Sequence, residues 1–297
     1  MAVKTKASAS GKKSHKLSKH EWAQQARLLP AYIPLVLWLV FCVFAIGWLF
    51  AASLSTSREV FSDSVLHSGL HFENYVKAWR SNNVSRYFLH SLVYSTVPCA
   101  VLILLGAPAA YVLAKKQFKL RKAIITTFLV GMAVPGTMVL IPWYSLLIRW
   151  NMVGQLSTLL LIYCVSGVSG TVFFLVSFFS SVPSSLEEAA MIDGCTPYQA
   201  FWKIMFHMAQ PGVITITIFN FLGYWNEYFL ALIFANSSES VRSLAVGLQN
   251  MINSMRFTGD YASLYAAILI VFLPTFILYL FLSDKIIAGV TGGAVKG

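Results

Sequence analysis

Six apolar runs of about 20 or more residues, almost free of charge, divide this chain of 297 residues. A helix of that length crosses roughly 30 Å of hydrocarbon. Lipid offers the backbone no hydrogen-bond partner, so each run must close its own bonds as a helix. The predicted spans are about 29–53, 89–113, 124–148, 156–179, 212–234 and 264–282. The expected fold is an all-α integral membrane protein with a six-span domain at 29–283. A basic tail at 1–28, too poor in apolar groups to fold alone, precedes it, and a second tail at 284–297 follows. Composition agrees, because only 11% of the residues are charged, against about 25% in a soluble domain.

Charge placement sets the expected orientation. Lys4, Lys6, Lys12, Lys13, Lys16, Lys19 and Arg27 crowd the first tail, and Lys115, Lys116, Lys119, Arg121 and Lys122 fill the loop after the second span without an acid. Lys203, Lys285 and Lys296 fall on the same side. The opposite side holds Arg58, Lys77, Arg80, Arg86, Arg149, Arg242 and Arg256. The richer side is cytoplasmic by the positive-inside rule, which puts both termini and the loop 183–211 inside. The net charge of +11 is thus explained by topology, and no nucleic acid partner is expected. The N-terminal apolar run exceeds a signal-peptide core of roughly 7–15 residues and reads as a retained span.

The loop 183–211 keeps helical signals although it is polar. Ser184 stands three residues before Glu187, the spacing of a capping box. Gly194 suits the left-handed position that closes a helix. Thr196-Pro197 reads as N-cap and first residue of a second helix, limited at its far end by Pro211-Gly212. Tyr198, Phe201, Trp202 and Met205 follow at i, i+3, i+4 and i+7, an apolar stripe that either the protein's own spans or a soluble partner must cover. The result is a helix-turn-helix that presents Asp193 and Gly194 at its turn.

Glu188-Ala189-Ala190-Met191-Ile192-Asp193-Gly194, with nine residues before Ile204, resembles the E-A-A-x-x-x-G-x₉-I-x-L-P loop of the membrane subunits of ATP-binding-cassette importers. Phe206 and His207 stand where that pattern has Leu and Pro, so the kink expected there falls to Pro211. The ending Ala288-Gly289-Val290-Thr291-Gly292-Gly293-Ala294-Val295-Lys296-Gly297 resembles the G-L-T-A-G-A-V-K-G tail of maltose-type permease subunits, and Asn74-Tyr75 and Trp225-Asn226-Glu227 resemble further family segments. The resemblance implies a type I importer permease in a bacterial inner membrane. It further implies a second, homologous permease, two ATPase subunits and an extracytoplasmic solute-binding protein as partners. Glu187, Glu188, Ala189, Ala190, Asp193 and Gly194 would then couple to the ATPase, and Thr291, Gly292, Gly293 and Lys296 would reach toward it. The solute would be a sugar or oligosaccharide, with a polyol or a glycerol-phosphate-type solute as alternatives.

The chain has no G-x-x-x-x-G-K-[ST] loop and no catalytic constellation, so ATP is expected to be bound by the partners, and no cofactor of its own is implied. Cys42, Cys99, Cys164 and Cys195, like the scattered histidines, lack metal-ligand spacing. Glu227 is the acid embedded in a predicted span, and Asn220, Gly223, Tyr224 and Glu227 recur at i, i+3, i+4 and i+7. Such a stripe either lines a solute pathway or bonds helices to one another. An ion-coupled transporter would want more embedded acids and often an internal repeat, neither of which is evident. A membrane scaffold that recruits a soluble partner through the loop is a third possibility.

Overall fold

The computed structural model describes residues 19–62 and 64–294. Among them there is no strand. The helices are α1 (Lys19–Ser53), α2 (Glu73–Arg80), α3 (Val84–Lys115), α4 (Arg121–Ala133), α5 (Gly136–Arg149), α6 (Leu156–Ser181), α7 (Ser184–Ile192), α8 (Pro197–Ala200), α9 (Phe206–Met208), α10 (Gln210–Trp225), α11 (Phe229–Phe234), α12 (Leu244–Thr258) and α13 (Tyr261–Ala294). A 3-10 turn covers Glu59–Phe61, and a π-helical turn, Phe201–Met205, joins α8 to α9. Of the first tail, expected not to fold alone, residues 19–28 are helical as the start of α1, and the rest lie outside the described residues.

Among the described residues, four stretches are continuous and apolar enough to cross a bilayer: Tyr32–Ser53, Val84–Lys115, Leu156–Ser181 and Tyr261–Ser283. Two bent pairs qualify when each is taken together, Arg121–Ala133 with Gly136–Arg149 at 93° and Pro197–Met208 with Gln210–Trp225 at 73°. Six spans result if each bent pair counts as one.

Two predicted spans are not straight helices: the third has the 93° bend, and the fifth has a separate break after Trp225. The third breaks at Pro135, which has no N–H for the helical ladder and whose ring drives the preceding residue out of the α region. Val134 is accordingly extended, with ψ 117°. Pro142 and Pro274 lie inside α5 and α13 without ending them. The fifth predicted span stops at Trp225 and resumes at Phe229 as the six-residue α11. Helices α2 and α12 fall in segments read as connections between spans.

The chain divides into two units, residues 1–49 and 50–297. In the first, residues 32–41 are exposed on every side of α1, with no buried stripe, which is the pattern of a helix solvated by lipid. In the second, α3 packs along α6, α10 lies against both, and α13 packs on α2, α10 and α12. Lipid tails are as apolar as these side chains, so fit rather than exclusion of water has to hold such helices together. Gly167 shows the fit: a Cβ there would run into Tyr224 of α10 and Leu102 of α3. One buried cluster gathers Ala107, Tyr111, Leu175, Phe179, Val182, Phe201 and Met205 around the end of α6 that leads into α7. A second joins Tyr94, Leu159, Tyr163, Phe234 and Val246 toward the other end of α6.

Candidate functional site

The helix-turn-helix predicted for 183–211 is present, and local chemistry explains its turn. The Cys195 N–H donates to the Ala190 carbonyl at 2.9 Å, and the Gly194 N–H donates to the Met191 carbonyl at 3.1 Å. This crossed pair is a Schellman closure, which needs a left-handed residue at its centre. Gly194 supplies it with φ +86°. Thr196 then opens α8 with a complete capping box: its hydroxyl accepts from the Gln199 N–H, and the Gln199 side chain accepts from the Thr196 N–H. The capping box expected at Ser184 does not form. Pro183 takes the N-cap position, and α7 has no side-chain cap, because Glu187 is engaged elsewhere.

Glu187 is buried and ion-paired with Lys116, which stands just past the last turn of α3. The neighbouring Lys115 ammonium donates to the Val182 carbonyl, the residue that ends α6. Burial pushes the Glu187 carboxyl upward. Hydrogen bonding by Lys116, the nearby Tyr111 hydroxyl and the charges of both lysines outweigh it, and hold the group below the ordinary carboxylate value.

The residues expected to couple to an ATPase consequently fall on two sides. Glu187 and Ala190 are buried in the protein itself, whereas Glu188, Ala189, Asp193 and Gly194 are exposed. Beside them Ile192 is 86% exposed and Tyr198 is 73% exposed. The apolar stripe of the second helix splits in the same way. Phe201 and Met205 are buried against Tyr111, Phe179 and Val182, so the protein's own spans cover most of it. The π-helical turn at 201–205 inserts an extra residue into the helical register, which the i, i+3, i+4, i+7 count could not foresee. The bend expected at Pro211, in place of a proline at 207, occurs at Ala209, just before Pro211 in the first turn of α10. His207 itself bonds the Trp202 carbonyl at 3.0 Å.

The polar stripe of the fifth span is a set of satisfied bonds between helices. Asn220 Nδ2 donates to Thr171 Oγ1 at 2.9 Å, and the Tyr224 hydroxyl donates to the Tyr163 carbonyl at 3.0 Å. The Tyr163 and Tyr224 rings stack at 4.6 Å. Glu227 lies beyond the end of α10, off the helical stripe that was expected to include it. Its carboxylate accepts from the Tyr163 hydroxyl at 2.8 Å and from the N–H groups of Leu230 and Ala231 at 2.7 and 3.0 Å. An acid satisfying the free donors at the start of α11 stabilises the break, since those donors have no partner inside the helix. Tyr163, on α6, was missed as a partner, and Thr171, read as one of the small residues that let helices pack closely, proves to be a hydrogen-bond acceptor for Asn220. The one tyrosine of α6 was the visible signal. Trp225 is 2% exposed and donates to the Val271 carbonyl, so it belongs to the core.

In the C-terminal segment the backbone of Thr291, Gly292 and Gly293 continues α13. Lys296 lies outside the described residues. No group of three or more metal-ligating side chains occurs among the described residues.

Residues 80–287 match the family described as binding-protein-dependent transport system inner membrane component. The diacetylchitobiose uptake system permease protein NgcG of Streptomyces coelicolor is 33% identical over 263 residues, which are 88% of this chain and 87% of that protein. The melibiose/raffinose/stachyose import permease protein MelC of Bacillus subtilis is 30% identical, over 84% of this chain and 90% of its own. The fold also matches a chain from the crystal structure of a bacterial ABC transporter that imports the acidic polysaccharide alginate. The TM-score is 0.75 and the identity 18%, over 91% of this chain and 99% of that one. With its apolar spans, its closed α7–α8 elbow and these similarities over most of its length, the chain belongs to the family of inner membrane components of binding-protein-dependent transport systems.

Proposed function

We propose that this protein is one permease subunit of an ATP-driven importer of a sugar or oligosaccharide that works by alternating access. The observation that carries the reading is the α7–α8 elbow. It exposes Glu188, Ala189, Ile192, Asp193 and Tyr198 around a turn fixed by Gly194, while Glu187, Ala190, Phe201 and Met205 root it in the spans. A rigid projection with a mixed polar and apolar face suits docking into a groove on a soluble ATPase. Two such ATPases would bind the ATP, a second homologous permease would complete the pathway, and an extracytoplasmic receptor would deliver the solute. The carbohydrate assignment draws on relatives named for diacetylchitobiose and for melibiose, raffinose and stachyose.

Both termini and the elbow are cytoplasmic in this reading, on the strength of the Lys and Arg distribution. Thr291, Gly292, Gly293 and Lys296 would then lie on the ATPase side. For Asn220, Tyr224 and Glu227, the bonds to Thr171, Tyr163 and α11 favour a joint between α6 and α10–α11 over open contacts with solute. The test is purification of the assembly from its host membrane. An ATPase should accompany the intact chain and be lost when residues 184–209 are deleted. Retention of the ATPase by the deleted chain would overturn the docking role.

A further inference from the structure

The positive end of α3 does more than set topology. Lys115 and Lys116 are consecutive, yet they grip different elements: Lys115 the terminal carbonyl of α6 at Val182, and Lys116 the Glu187 carboxylate one turn into α7. Arg121, at the start of α4, folds back to donate from Nε to the Leu113 carbonyl at 2.7 Å in the same turn of α3. Four elements, α3, α4, α6 and α7, therefore meet at one point, and Pro183, between the two grips, leaves α7 joined to α6 by extended backbone. Extended backbone hinges easily. The two lysines remove that freedom.

The far end of α3 is bonded as well. The Tyr94 hydroxyl donates to the Val241 carbonyl at 2.7 Å, His90 Nδ1 bonds the Arg242 carbonyl at 3.0 Å, and Ser91 Oγ accepts from the Leu244 N–H at 2.7 Å. One helix thus holds the segment leading into α12 at one end and the α6–α7 elbow at the other.

We infer that the Lys116–Glu187 pair makes α7 move as one body with α3, and that Glu187 and Lys116 are positioning residues for coupling rather than part of the docking face. The inference rests on the ATPase-docking reading above. Glu187 suits the role because it is buried, and so unavailable to a partner, while Glu188 beside it is exposed. A buried carboxylate needs a partner, and a pair bridging two elements fixes their relative angle.

The experiment uses the complete transporter in proteoliposomes and measures solute imported per ATP hydrolysed. Glu187→Gln and Lys116→Glu should each lower that ratio by about fivefold, the size expected of residues that carry coupling between sites. The reversed pair, Lys116→Glu with Glu187→Lys, should restore it to the level of the unmodified protein. Hydrogen exchange of the α7 amides in the purified chain alone supplies a readout that requires no ATPase. It should rise by about tenfold in Glu187→Gln, as local opening becomes easier. Unchanged exchange would overturn the clamp whether or not an ATPase binds. Raised exchange with an unchanged ratio would reduce the pair to a structural staple, and a reversed pair no better than the single variants would remove charge pairing as the cause. Loss of the ATPase from the unmodified chain would instead count against the docking reading and leave the exchange result standing.

Discussion

At the scale of single residues, Gly194 has little freedom to change. Its φ of +86° lies in the left-handed region, while open space surrounds the place where a Cβ would stand. Any other side chain is therefore penalised by backbone strain of about 1–2 kcal/mol rather than by a clash. Gly194→Asp should leave the amount of protein in the membrane fraction unchanged and abolish uptake, because it adds a charge to the docking turn while straining it. Immunoblotting beside a transport assay separates the two effects, and normal uptake would contradict the role of the turn. Gly194 and the Thr196-Pro197 start were legible in the sequence because their geometry is set within a few residues. Ser184 shows the limit of such reading. Its spacing to Glu187 fits a capping box, but Lys116, 71 residues away in sequence, claims the carboxylate.

Among the elements, the joint between α10 and α11 depends on one carboxylate with three donors. The Tyr163 hydroxyl and the N–H groups of Leu230 and Ala231 all turn to Glu227. Glu227→Ala should destabilise the protein by about 3 kcal/mol, since buried donors lose a charged acceptor. Glu227→Gln, which keeps an acceptor oxygen, should cost less. Thermal unfolding in detergent ranks the variants, and an equal loss from both would mean that the oxygen is not what holds the joint. The acid was conspicuous in the sequence, and so was its spacing from Asn220 and Tyr224. Its true role was hidden, because the helix that would have aligned it ends at Trp225 and its hydroxyl partner sits on α6. Proline gave a better guide: Pro135 does break its span, although Pro142 and Pro274 look the same in sequence and do not.

For the whole molecule, the sequence made the apolar, all-helical character of the chain readable, because length and hydropathy are summed properties that tolerate local error. Prolines marked where the two bends fall, but their angles of 93° and 73° were not readable, because an angle depends on which helix packs against which. The proposed orientation can be checked with a native reporter. Cys195 lies in the partly exposed elbow turn, whereas Cys42, Cys99 and Cys164 lie within α1, α3 and α6. A membrane-impermeant maleimide should label Cys195 in inside-out vesicles stripped of peripheral proteins and leave it unlabelled in intact spheroplasts. The reverse pattern would invert the topology.

The break at Pro135 has a consequence for biogenesis. Helix α4 has 13 residues and α5 has 14, so each rises only about 20 Å, short of the hydrocarbon thickness. Neither can leave the translocon as a finished crossing. Helix α4 packs on α6, and α5 packs in a cluster with α6 and α11, all made by the ribosome after them. The first two spans can partition into lipid as they emerge, while this pair must wait for helices not yet synthesised.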